Sequence, residues 1–141
     1  MLLVNATEFS ERVEQELARA QRYCLYLSLL VLDFAELPEA PSGTASAVGA
    51  LPSNLSENLK AVLRCSDLVA ISRGGRLAVL LVETPASGLA VVRERICDFV
   101  SDFLEDRTEA QMPIHSAVYP DATTDFKRLL ASLRARAQVV N

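Results

Sequence analysis

Residues 67–81 read DLVAISRGGRLAVLL, and the reading of this stretch decides the fold. Asp67–Ser72 and Arg76–Val82 are short runs of apolar and β-branched side chains, the composition of strands. Arg73, Gly74 and Gly75 lie between them, and glycine supplies the positive φ that a tight reversal demands. The spacing predicts a β-hairpin.

Working outward, Asn5 stands where a helix would be capped, with Glu8 three residues on as in a capping box. Ala6, Phe9, Val13, Leu17 and Ala20 recur at steps of three and four, which predicts one apolar helix face ending near Arg22. Leu25–Leu32 is nearly continuous in apolar residues and stops at Asp33, the pattern of a strand buried on both faces. Ser53 stands to cap a second helix bearing Leu55, Leu59, Val62 and Leu63.

Beyond the hairpin, Thr84 and Pro85 give an N-cap and a first-turn proline to a helix burying Leu89, Val92, Ile96, Phe99 and Phe103. Ile114–Tyr119 reads as a further strand, closed by Pro120. A last helix carries Phe126, Leu129, Leu130 and Leu133, with Arg134 and Arg136 near its C-terminal end. From Ala35 to Pro52, Pro38, Pro41, Gly43 and Gly49 interrupt any regular element and predict a long loop. The order α-β-α-β-β-α-β-α predicts an α/β sandwich: a mixed central sheet with a β-hairpin and helices packed around it. No repeat or composition break divides the chain, so residues 1–141 read as a single domain.

Composition excludes several classes. A net charge of −4 opposes a nucleic-acid-coating surface, which requires a basic face. Cys24, Cys65 and Cys97 are widely spaced and His115 is the only histidine, so neither a zinc site nor a disulfide framework is expected. The thiols are expected to be packed ones, in keeping with a reducing cytoplasm. Leu25–Leu32 is too short to span a bilayer, and no signal peptide is read, so no membrane partner is expected. Tyr23 and Tyr26 are expected to pack against a helix, and His115 to be structural.

The whole pattern resembles the GGDEF family of diguanylate cyclases. Asn5–Asp33 resembles the family's opening helix and first strand. Asp67–Leu81 resembles its hairpin, typically DLVARYGGDEFAVLL, and Ser116–Pro120 its next strand. The ungapped register puts Arg73, Gly74, Gly75, Arg76 and Leu77 on the five signature positions. A shift of one residue would match both glycines but place Ala78 where the phenylalanine belongs, and it would reverse the buried face.

The resemblance implies a nucleotide-cyclase-like fold and a chemistry in which magnesium, held by carboxylates at the first strand's end and in the hairpin turn, neutralises GTP phosphates. Asp33 resembles the strand-end ligand and is vestigial here, because Gly75 and Arg76 occupy the acidic positions. Arg76 could instead pair with Asp33, taking over the metal's positive charge, or be a solvated turn residue. The loop Glu36–Leu51 lacks the Asn and His that the family sets around guanine, and the last helix lacks its Asp, Tyr and Lys. The expectation is therefore a catalytically inactive, cofactor-free regulatory domain in bacterial signalling, acting on a protein partner or as a homodimer.

Arg64-Cys65-Ser66-Asp67 matches the family's RxxD inhibitory site for cyclic di-GMP. This gives an alternative, a cyclic di-GMP receptor using Arg64 and Asp67, with Arg93 and Arg95 as further candidates. The opposing reading has Arg64 ending a helix and Asp67 opening a strand. A third reading is an active cyclase with unusual metal ligands.

Overall fold

The computed structural model describes residues 1–33, 55–71, 76–103, 114–120 and 127–132. The elements run β1 (Leu2–Val4), α1 (Ala6–Tyr23), β2 (Leu27–Asp33), α2 (Leu55–Val62), β3 (Leu68–Ile71), β4 (Arg76–Val82), α3 (Ala86–Phe103) and β5 (Ile114–Tyr119). Residues 127–132 are helical. The loop expected at Glu36–Leu51, the cap at Ser53, Phe126 and Leu133 lie outside the described residues, as do the side chains of Phe99 and Phe103.

The five strands form one sheet in the order β1-β3-β4-β2-β5. The β1–β3 pair is parallel and the other pairs are antiparallel, so the sheet is mixed as expected. The predicted hairpin is present, with Ile71 opposite Leu77 and Leu68 opposite Leu80. β2 sits between β4 and β5, and all of its residues are buried.

Alternation along the strands separates two cores. Leu27, Leu29 and Val31 face Phe9, Val13, Leu17 and Ala20 of α1, together with Leu130. Leu30 and Leu32 face the other way, toward Leu59, Leu89 and Ile96 from α2 and α3. Helices cover both faces, which explains why the central strands are apolar throughout rather than alternating with polar residues. Ser28, the polar interruption of β2, donates its hydroxyl to the Thr84 carbonyl at 2.6 Å and so ties β2 to the chain entering α3.

The cap at Asn5 forms: its side chain accepts from the Glu8 amide at 2.8 Å. Thr84 uses its hydroxyl elsewhere, donating to the Val82 carbonyl at 3.0 Å. Strand β1 was not anticipated, because three apolar residues carry no alternation to read, and Leu2 and Leu3 remain exposed on this edge.

Tyr23 and Tyr26 correct an expectation. They are 61% and 48% exposed, because Tyr23 is the last residue of α1 and Tyr26 lies on the connection before β2 begins at Leu27. Cys24 ends α1 in the left-handed region at φ 55° and is exposed, and Cys65 is exposed in the turn before β3. Neither is the packed thiol expected. Cys97 is half-buried; burial pushes its thiol up, the nearby Arg93 opposes this and Asp98 adds to it. A maleimide should therefore label Cys24 and Cys65 in the native chain well before Cys97; equal rates at all three would contradict this arrangement.

Candidate functional site

Register brings the first pair together. β2 and β4 are antiparallel with Asp33 directly opposite Arg76. Both lie on the face shared by Val31 and Ala78, beneath the helical segment 127–132. Arg76 Nη2 donates to Asp33 Oδ2 at 3.2 Å, and Arg76 Nη1 donates to Ser132 Oγ at 3.0 Å. The side chains are 7% and 1% exposed, so the guanidinium and carboxylate form a buried ion pair, and Arg76 is not a solvated turn residue. The pair forms because desolvating either charge alone would cost several kcal/mol, whereas a directly opposed partner offsets much of that penalty.

Leu77, the fifth position of the signature stretch, points to the opposite face and is fully buried beside Leu32 and Val79. Arg73, Gly74 and Gly75 lie outside the described residues.

This donor set does not suit a divalent cation. A hard metal requires several oxygen ligands, and Asp33 already receives a guanidinium N–H. Among the described residues no group of three or more acidic, histidine or cysteine side chains stands close enough to hold a metal.

Arg64 and Asp67 are also brought together, in a mainly structural arrangement. Asp67 is buried, and its Oδ2 accepts from the Arg64 amide at 2.8 Å. Its Oδ1 accepts from the Val82 amide at 3.3 Å. The carboxylate therefore closes the turn between α2 and β3 and fastens it to the end of β4. The Arg64 guanidinium donates to the Val82 carbonyl and to Thr84 Oγ1, the latter at 2.7 Å, and remains 58% exposed. Arg93 and Arg95 are exposed on α3.

Sequence reading missed a concavity of about 510 Å3 beside the buried pair. Arg76, His115, Ser116, Arg128 and Ser132 line it, flanked by Ile114 and Leu129. His115, expected to be structural, is exposed here. The signal available in sequence was the four-residue spacing of Arg128 and Ser132, which puts both on one helix face.

Removing one member of the buried pair should be costly. Arg76→Ala or Asp33→Ala should lower unfolding stability by about 3–5 kcal/mol in urea denaturation. Arg76→Glu should destabilise as well, by opposing two carboxylates, and Mn2+ should recover part of that loss. An unchanged denaturation midpoint with and without metal would contradict the assignment. Asp67→Ala should cost about 1–3 kcal/mol for each buried amide left unsatisfied, measured in the same way.

Comparison with known proteins bears on the arrangement as a whole. No protein-family model matches the sequence, and no curated protein matches it significantly. Solved structures do match. A DGC protein from Thermotoga maritima superposes with a TM-score of 0.66 at 14% identity, covering 94% of each chain. The GGDEF domain of YfiN (TpbB) from Pseudomonas aeruginosa gives a TM-score of 0.60 at 26% identity, over 84% of this chain and 78% of that one. Diguanylate cyclase SiaD of the same organism, solved in complex with its activator SiaC, gives 0.58 at 20% identity, over 94% of this chain and 55% of that one. The five-stranded mixed sheet with its helices matches these neighbours, and the chain has a GGDEF-like fold.

Proposed function

We propose that this GGDEF-like domain does not make cyclic di-GMP and acts instead as a regulatory module through contact with another protein, either a partner or a second copy of itself. The observation that carries the proposal is the buried Asp33–Arg76 pair. Cyclase chemistry needs positive charge that moves with the substrate's phosphates and polarises the attacking oxygen, which metal ions supply. A guanidinium anchored to Asp33 and Ser132 is fixed in the protein and cannot lower the pKa of a bound hydroxyl as a metal does. The family's acids are also missing from the signature stretch, since Gly75 and Arg76 stand there.

Contact with a partner is the role left to a fold that retains its core without its catalytic acids. SiaD, solved with its activator, is a structural neighbour that engages another protein. No helix among the described residues is long and apolar enough to cross a membrane. The proposal places the domain in the cytoplasm, where cyclic di-GMP signalling takes place.

The receptor reading draws on the exposed Arg64 guanidinium. It is weakened by Asp67, whose carboxylate oxygens already hold backbone amides and would have to release them to meet guanine.

Two measurements separate these readings. Incubation with GTP and Mg2+ or Mn2+ should yield no cyclic di-GMP; product formation would overturn the proposal. Calorimetric titration with cyclic di-GMP should give no saturable heat, whereas binding abolished by Arg64→Ala would establish the receptor.

A further inference from the structure

Helix α1 turns a charge-ordered face away from the sheet. Glu8, Glu11 and Glu14 are exposed before Ala18, and Arg19 and Arg22 are exposed after it, whereas Arg12 and Glu16 are half-buried. The helix dipole favours acids in the first turn and cations in the last, which accounts for Glu8 and Arg22. Glu11 and Glu14 lie beyond that first turn. Glu14, Ala18 and Arg22 follow at steps of four, so they form one ridge along the helix, and all three are exposed. Arg19 is engaged within the chain, by Glu16 at 3.2 Å and by Glu83 at 3.9 Å, but no ion pair joins Arg22 to another described residue.

A groove of about 380 Å3 lies beside this ridge, between α1 and the helical segment 127–132. Leu17 and Leu130 form its apolar floor, and Ala18, Gln21 and Ala131 line its walls. Short side chains at Ala18 and Ala131 let another helix approach to about 8 Å, the close end of helix–helix spacing. The order acid, alanine, arginine is its own complement when reversed. A two-fold axis at Ala18 sets a second α1 antiparallel to the first. Glu14 of each copy, one turn before Ala18, then faces Arg22 of the other, one turn after it. The same placement covers Leu17 and Leu130 and removes their remaining apolar surface from water.

We infer that the outward face of α1 docks a second copy of this chain, antiparallel and with Ala18 at the two-fold axis. The inference rests on the protein-contact reading and names the second copy as the contact. Ala18 and Ala131 permit the close approach, the groove receives the ridge of the other copy, and two Glu14–Arg22 pairs fix direction and register. A parallel arrangement would set Glu14 against Glu14 and Arg22 against Arg22, so the same charges oppose it.

Sedimentation velocity of the full chain over a concentration series tests the surface. The wild-type chain should show a reversible monomer–dimer equilibrium that weakens as salt is raised. Arg22→Glu and Glu14→Arg should each weaken the dimer about tenfold or more, because by symmetry each reversal sets two like-charged pairs against one another. Combining Glu14→Arg with Arg22→Glu in one chain should restore dimerisation. An equimolar mixture of the two single variants should form a heterodimer tighter than either variant's own dimer, since both facing pairs are again of opposite sign. Both positions are exposed, so the variants should keep the fold, as circular dichroism would verify. A wild-type chain that stays monomeric, a dimer indifferent to both reversals, or no recovery in the mixture would each overturn the surface. Those outcomes leave the protein-contact reading standing with a different contact, whereas GTP turnover would sink that reading and leave the dimer in place.

Discussion

Asp33 and Arg76 meet at the end of the two central strands, β2 and β4, where both side chains are buried and each charge needs the other. Their pairing follows from the register of β2 against β4, fixed in turn by the apolar alternation on both sides. A one-residue slip would send Arg76 into the core formed by Leu77 and Val79 and turn those leucine and valine side chains away from it. The ion pair thus acts as a check on register as well as a filler of the site, and its link to Ser132 fastens the helical segment 127–132 over the same strands.

A buried ion pair is not by itself a strong source of stability, because desolvation offsets most of its attraction. Its significance lies in what it displaces. A carboxylate at the end of a first strand is suited to a metal, and an arginine on it is suited to a fold that does without one. The proposed loss of catalysis follows from it: where carboxylates would gather a metal, a guanidinium already balances the charge of Asp33.

Much of the fold was legible because burial writes itself into periodicity. The stripe Phe9, Val13, Leu17 and Ala20 fell on the buried face of α1, and Arg76–Val82 and Ile114–Tyr119 are strands with those boundaries. β1 was not legible, since its residues gain their place from pairing with β3 rather than from any local pattern. Tyr23, Tyr26, Cys24 and Cys65 misled for a related reason. An aromatic or thiol group suggests a core, but burial depends on what lies overhead, and these residues fall at a helix end or on connections. At the site, opposite charges at a strand end and a strand start suggested the Asp33–Arg76 pair, whereas Ser132, 56 residues from Arg76, could only be joined to it in three dimensions. Asp67 shows the converse: a four-residue motif suggested a ligand, and its carboxylate is occupied by the backbone.

The central claim is that the Arg76 guanidinium takes the place of a metal at Asp33. Electron paramagnetic resonance of Mn2+ titrated into the wild-type chain tests this most directly. The account predicts no saturable, stoichiometric loss of the free Mn2+ signal, and no difference between wild type and Asp33→Asn. A bound Mn2+ that disappears on Asp33→Asn would contradict it.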